Sequence, residues 1–594
     1  MGNNSSYEYV VGIDFGSAGI GFAYASNIKN REINPVLSNL EGQGDDKVPN
    51  EIILDNEFKN VLAFGNECSK YIDTHRDNHD SYCYFKDIKM NLYNKNYFIK
   101  ATNEKVADIE IIISKILKKI SEEAIEHIQS TIIEKLDINK IKWVVTIPAI
   151  WTEKSKEIMI KASRNAGLIN NQTDLSLFLA LEPEVAGIFY FSNLNSKINS
   201  HKKAEELLNP YIICDMGAGT VDICTLRKEK NEDALIEVYP PLGGNYGGNF
   251  INQEFIKRII VELFGNEKLE KVKYDRRYKD FEKNIETLKK QLDDKAYECH
   301  LNCRIFKDEN NSSDTLDHYI TAYKQKKLDY KYDLKRDKQD EWDLIFPSQV
   351  LLDITKKIAY EIFQKLDEVY YNVKNVQTIF TGAGSNNKIL LNYIQKHFKD
   401  KGINFEIKRT IQPQVSILKG AAIYGFKTNI IRRRRPKYTI GVAVSNNWDE
   451  KLHKNGGIKI FDKTEKKWKC INLFKKFITI NKDIEYNEII SHDFKAAGSK
   501  PVIAFYKTLK ENCKYIDEKD KFGNLIIYKF GAVKFDIKNF DKAHPQVRIN
   551  MKMGGTYIYA TAIYLNNNIE IQITQNFEDK DDLIVDEPKS FYNY

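Results

Sequence analysis

Asp14-Phe15-Gly16-Ser17-Ala18-Gly19 and Asp215-Met216-Gly217-Ala218-Gly219-Thr220-Val221-Asp222 share one chemical pattern: a carboxylate at the end of an apolar run, then a glycine-rich turn. Backbone N–H groups in such a turn can converge on an anion. Glycine is needed there because a Cβ blocks close approach to phosphate oxygens and because such turns use positive φ. One copy is weak evidence, since ordinary hairpins look the same. Two copies, about two hundred residues apart, can grip a phosphate chain from both sides, with Asp14 and Asp215 holding the waters of a Mg²⁺ ion that keeps much of its hydration.

The elements that must position these turns are legible as patterns. YEYVVGIDFGSAGIGFAYA, from Tyr7 to Ala25, reads as two strands joined by the turn. Val106, Ile109, Ile113, Ile116, Leu117 and Ile120 fall at helical spacing, and a strand Trp143–Ile147 ends at Pro148 before a helix beginning at Thr152 and Glu153. The same grammar restarts at Tyr211, which predicts a duplicated α/β lobe, with helices near 249–266, 276–293, 347–371, 386–399 and 415–426. Asp308–Asp343 is polar and tyrosine-rich, and is expected to be a surface excursion of the second lobe. Beyond Pro436 the period becomes two, with Asn566-Asn567-Asn568 as a turn, and the C-terminal part reads as a β-domain, a sandwich. The expected boundaries are a tail 1–6, lobe I 7–208, lobe II 209–428, a basic linker 429–437, the β-domain 438–580 and a polar tail 581–594.

With these residues in view the chain resembles the heat-shock 70 kDa proteins of the actin and sugar-kinase superfamily. WVVTIPAIWTEKSKEIMIKASRNAGL (143–168) and LALEPEVAGIFYF (179–191) resemble the family's strand-Pro-Ala segment and Glu-Pro helix. GGNYGGNF (243–250) is similar to its second-lobe glycine turn, IFTGAGSNNKILLNYIQKHF (379–398) to its adenosine loop, and VSILKGAAIYG (415–425) to its terminal helix. FKDIKMNLY (85–93), the arginine run before PKYTIGVAV and MKMGGTYIYATAIYL (551–565) are most like the divergent 12A and 12B subfamily. The resemblance implies an actin-like ATPase fold: two duplicated ribonuclease H-like lobes around a nucleotide cleft, binding ATP or ADP with Mg²⁺.

Carried over by position, Ser17 and Ala18 beside Gly16 would contact the β-phosphate, and Gly217, Ala218, Gly219 and Thr220 the γ-phosphate side, with Thr220 also counted as catalytic. Glu182 falls where the family orients the attacking water, and Asp222 where it is polarised. As residues alone, Glu182 also fits a helix-initiating acid and Asp222 a strand-end cap. Lys89 is placed as the catalytic lysine, with Lys86 as the alternative, because FKDIKMNLY departs from the family spacing by one residue. Gly247 and Gly248 belong to the second-lobe turn. Glu286, Lys289 and Lys290 match an adenine-side spacing that a plain i,i+3 salt bridge also explains. Gly382, Ala383 and Gly384 would lie against the purine.

Departures shape the functional expectation. Asn249 replaces an acid, Ala218 a glycine, the interdomain segment is Ile431-Arg432-Arg433-Arg434-Arg435, and no helical lid pattern follows the β-domain. The expected activity is slow ATP hydrolysis, with lobe closure coupled to a β-domain that engages protein clients, an exchange factor or a co-chaperone. A nucleotide-switched scaffold and a small-molecule kinase of the same fold are the alternatives.

Composition bounds the rest. The net charge of +7 comes from 90 basic and 83 acidic residues spread along the chain, so no nucleic-acid footprint is expected. The Arg432–Arg435 run reads as a solvated linker, with a nuclear-localisation or polyanion patch as the other reading. Eight cysteines without a CxxC pair predict neither a disulfide framework nor zinc, in a reducing, cytoplasmic compartment. Met1-Gly2-Asn3-Asn4-Ser5-Ser6 fits an N-myristoylation pattern, the one route to a weak membrane association.

Overall fold

The computed structural model describes residues 7–26, 35–37, 46–75, 78–133, 135–169, 177–195, 208–230, 232–273, 275–311, 313–326, 332–463, 465–495, 502–535, 546–565, 569–571 and 573–578. Gly2, the turn at 566–568 and the tail 581–594 lie outside them. The architecture is mixed α/β, and among the described residues no helix is long and apolar enough to cross a membrane. The chain forms two compact units: 1–150, 162–225 and 242–427 make the first, and 151–161, 226–241 and 428–594 the second.

In the first unit the strand Tyr9–Phe15 is buried at every position, as expected of a strand covered on both faces. It pairs in parallel with Ile141–Ile147 and antiparallel with Gly19–Ser26, while Ile141–Ile147 pairs in parallel with Leu177–Leu181. A second sheet repeats the theme: Tyr211–Met216 pairs in parallel with Gln377–Thr381 and has Val221–Lys228 as its other neighbour. In each sheet the aspartate of the glycine hairpin is the penultimate residue of an interior strand.

Helices pack on these sheets through their apolar faces. Ile109–Ser130 buries Ile109, Ile112, Ile113, Ile116, Leu117 and Ile120, with Asp108 capping its start by accepting the Glu110 N–H. The predicted second-lobe helices appear as Gly248–Phe255, continuing through a π turn into Val261–Val272, which is broken at Gly265 (φ 82), then Arg276–Gln291, Gln349–Asn372, Lys388–Asp400 and Ser416–Phe426. The 308–343 stretch is more than a surface excursion. It contains a helix, Leu316–Gln325, that buries Leu316, Ile320 and Tyr323, and the strand Lys335–Arg336 on a small sheet. Leu334 and Trp342 of the same stretch are buried as well, apolar mass that its polar composition hides.

The second unit holds a six-stranded and a four-stranded antiparallel sheet, whose buried Val442, Phe505, Val533, Val547, Ile549 and Met551 form one core cluster. The arginine run differs from a solvated linker. Ile431–Arg434 is a strand, parallel to Leu235–Gly244 at Leu235 and antiparallel to Ile484–Glu485. Arg432 and Arg433 share Glu229, Arg435 pairs with Asp483 at 2.8 Å, and the buried Arg434 donates to the Gly554 carbonyl. Partners for each guanidinium let three adjacent arginines lie in the strand, with Arg435 just beyond its end.

One close approach in the first unit fixes the helix that bears Glu182. A Cβ on Gly420, within Ser416–Phe426, would lie 1.9 Å from the Val185 carbonyl oxygen of Glu182–Asn195. Gly420→Ala should therefore separate the two helices, costing about 1–3 kcal/mol and lowering the melting temperature of the full-length protein by several degrees. An unchanged thermal transition would contradict this packing.

Candidate functional site

The two hairpin aspartates, each next to last in its strand, are both buried, Asp14 and Asp215 each being 2% exposed. Around them the fold gathers Lys89, Glu182, Thr220 and Asp222, all equally buried. Lys89 lies on the short helix Ile88–Tyr93, and its ammonium bonds Glu182 Oε1 at the start of Glu182–Asn195. Of the two candidate lysines, Lys89 is thus the one the structure places among the carboxylates. Lys86 instead reaches Glu282 at 3.9 Å and is a third exposed.

The first hairpin is buttressed from the side. Thr146 Oγ1 donates to Asp14 Oδ1 at 3.2 Å, Lys47 Nζ lies 2.5 Å from Asp14 Oδ2, and the Asn50 amide donates to the Gly16 carbonyl. Neither Lys47 nor Thr146 was visible as a site residue in the sequence, because each joins Asp14 through a contact that carries no local pattern.

The second hairpin is held by its own glycine turn. The N–H groups of Gly247, Gly248 and Asn249 donate to the carbonyls of Gly219, Gly217 and Ala218 at 3.2, 3.0 and 2.7 Å. Because a trans peptide points C=O and the next N–H in opposite directions, the N–H groups of Ala218, Gly219 and Thr220 are turned to the other side. Three such donors on one side of a turn make an anion-binding concavity. The two hairpins face each other: a Cβ on Gly219 would lie 2.4 Å from Ser17 Oγ.

The remaining predicted residues fall at the periphery of this arrangement. Lys289 donates to the Gly248 carbonyl at 3.1 Å and pairs with Glu286, which also accepts from the Asn252 amide at 3.1 Å. Glu286 and Lys289 thus brace the glycine turn, whereas the Lys290 side chain is 73% exposed and stays outside. Gly382 has φ +76, and a Cβ there would sit 2.4 Å from Asp215 Oδ1. Glycine is required on both counts, and the Gly382-Ala383-Gly384 segment lies against the Asp215 strand.

The electrostatics follow from burying charges together. Burial raises Glu182 to about 7, with Lys89 opposing and Asp222 and Asp14 reinforcing the rise. Burial likewise holds Asp215 well above the ordinary carboxylate range, with Glu182, Asp222 and Asp14 adding to it. Asp222 is raised by burial against bonds from Thr220 and from the Ala149 N–H, which reaches its Oδ1 at 2.6 Å. For Asp14 the burial effect is overcome by Lys47 and Lys89, which hold it below its usual value. Lys89 remains an ammonium, since its carboxylate neighbours outweigh burial.

These oxygens suit a hard divalent cation. Asp215 Oδ1 is buried and no donor among the described residues reaches it, and magnesium takes carboxylate and water oxygens. Four carboxylates face two ammonium groups, Lys47 and Lys89.

An acid whose folded pKa exceeds its unfolded one binds its proton more tightly when folded. Glu182 therefore stabilises the nucleotide-free fold fully below about pH 4.5, and loses that contribution as pH rises toward about 7. Denaturant unfolding at pH 5 and pH 7.5 should show this decline, up to about 3 kcal/mol, and Glu182→Gln should flatten it. Equal slopes in both proteins would exclude Glu182 as its source.

Comparison with known proteins finds similarity over nearly the whole chain. No protein-family model matches the chain. Heat shock 70 kDa protein 12A of Homo sapiens and that of Mus musculus are each 24% identical to it over 654 aligned positions, covering 97% of this chain and 92% of the relative. Heat shock 70 kDa protein 12B of Homo sapiens is 22% identical, covering 96% and 91%. The similarity spans both compact units, so over nearly its whole length the chain resembles the divergent heat-shock 70 kDa-like 12A and 12B proteins.

Proposed function

We propose that the chain binds ATP and ADP with magnesium between two lobes of an actin-like ATPase fold and hydrolyses ATP slowly. The observation that carries this reading is the convergence of two glycine hairpins on one buried cluster of carboxylates and a lysine. Two interior strands in separate sheets, each with the hairpin aspartate as its penultimate residue, support the duplicated-lobe reading.

Each residue then has a role set by its surroundings. The turned N–H groups of Ala218, Gly219 and Thr220 cradle phosphate oxygens, with Gly16, Ser17 and Ala18 opposite them. Lys89 supplies fixed positive charge where charge accumulates on the transferring phosphoryl group, and Glu182, raised toward neutrality, orients water and can take up its proton. Asp14 and Asp215 would hold magnesium through water, and the ion would neutralise phosphate oxygens. Asp222, fixed by the Ala149 N–H, completes the polar wall.

The β-structured second unit would engage a protein partner, as a client-binding or scaffold surface, in a cytoplasmic setting. A hydrolase and a kinase of this fold differ in the acceptor of the phosphoryl group. No acidic residue in the cluster is assigned to activating an alcohol, so water is the acceptor in this reading.

Calorimetric titration tests the site. Asp215→Ala should weaken magnesium-dependent ATP binding at least about tenfold, or 1.4 kcal/mol, and Asp14→Ala should do the same. Unchanged affinity in both variants would sink the assignment. Phosphate release without added acceptor, slowed further by Glu182→Gln, is the expected catalytic result, whereas turnover only with an added alcohol would favour the kinase.

A further inference from the structure

Lys47 belongs to none of the motifs that mark the site, yet it provides the ammonium bound to Asp14. Its position is built into the first hairpin. The residues that follow it, Val48–Pro49, pair antiparallel with Ile20 and Gly19, and the Asn50 N–H donates to the Ala18 carbonyl at 3.3 Å. The segment that buttresses the glycine turn is therefore the one that carries the lysine. Its stem has reserved space as well: a Cβ on Gly21, which pairs with Asp14 across the hairpin, would lie 3.0 Å from Lys47 Cγ and 2.4 Å from the Asp46 carbonyl oxygen.

The two aspartates are consequently unlike each other. Both oxygens of Asp14 have protein donors, Lys47 and Thr146, while Asp215 Oδ1 has none among the described residues. The wall bearing Asp14 is neutralised from within, and the wall bearing Asp215 is the one that calls for an added cation. An ammonium on a flexible stem can pair with a carboxylate or with a phosphate oxygen. Asp14 is buried while the Lys47 side chain is 29% exposed, so the pair is screened from the lysine side only.

We propose that Lys47 is a tethered counter-ion that performs part of the neutralisation a divalent ion would otherwise perform, so that nucleotide is retained when magnesium is scarce. This deepens the nucleotide-binding reading and rests on it. The lysine also competes with metal for Asp14 when no nucleotide is present, and that consequence stands without the reading.

Two measurements on the full-length protein test it. In calorimetry with ADP, chelating magnesium with EDTA should weaken binding to the wild type by less than about tenfold and to Lys47→Met by a further tenfold or more, with Lys47→Arg close to wild type. In manganese titration of the nucleotide-free protein, followed by electron paramagnetic resonance, Lys47→Met should bind Mn²⁺ about tenfold more tightly than the wild type, the equivalent of 1.4 kcal/mol. Melting curves of Lys47→Met and Lys47→Arg establish that both variants fold. Manganese affinity that stays within twofold of wild type in Lys47→Met overturns the proposal, as does an unchanged ratio of the two ADP affinities. If the wild type binds no ADP even with magnesium, the nucleotide reading falls, and the manganese titration still decides whether Lys47 competes for Asp14.

Discussion

Four carboxylates cannot be buried together without cations or protons, and Lys89 is the ammonium about which this site is organised. Its partner Glu182 lies 93 residues away in sequence, Thr146 meets Asp14 across 132, and Ala149 meets Asp222 across 73. None of these contacts exists until the first unit has folded. Removing one member of a buried pair leaves an uncompensated charge, an effect worth several kcal/mol. The unit's core packing therefore holds apart and together groups that would repel one another in isolation. A cluster with raised carboxylates is poised to accept cationic or proton charge.

The second constraint is backbone rather than side chain. Carbonyl groups of the second hairpin are taken by the 247–249 turn, which leaves the orientation of its N–H groups no choice. Lys289 then bonds the Gly248 carbonyl and ties that turn to the helix Arg276–Gln291. Ala218 in place of a glycine is compatible with this arrangement, because the turn's use of its carbonyl does not depend on the side chain. Asn249 in place of an acid is compatible too, since its contribution here is its backbone N–H.

Local chemistry explains what was legible in the sequence. The hairpins announce themselves because a strand, an aspartate and two glycines are contiguous, and the lobe helices because their apolar residues recur at the helical period. Lys89 could be narrowed only to a pair with Lys86, since the short helix Ile88–Tyr93 offers too few turns for periodicity to say which lysine points inward. Lys47 was illegible for a different reason: a lysine five residues before an unremarkable strand, Ile52–Asp55, has no pattern, and its meaning lies in Gly21 and Asp14. The arginine run misled because charge suggests solvent. Its acids, Glu229, Glu232 and Glu485, are remote in sequence or on another strand. The helix within 308–343 was masked by composition, as tyrosine counts toward both polar and buried surfaces.

The second unit shows why a boundary drawn from periodicity alone undercounts what that unit needs. Its three stretches include 151–161 and 226–241, far from the β-rich C-terminal part in sequence. Glu157, buried and paired with Lys161 at 2.8 Å, accepts the Phe577 N–H at 3.2 Å. Glu237 accepts the Arg435 N–H at 3.0 Å, and Glu229 binds Arg432 and Arg433. A fragment beginning at 438 would lack Glu157 and leave the buried Phe577 N–H to be satisfied by other means, at about 1–3 kcal/mol. It would also lose the parallel strand contributed by Leu235–Gly244 and the arginine strand paired with it. The acids that hold the arginine strand are contributed by the 226–241 stretch as well as by the C-terminal part, so the unit is completed only by chain that sequence order assigns to the lobes. Its stability is thus tied to the folding of the whole chain, and any property of the C-terminal β-structure has to be measured on the intact protein.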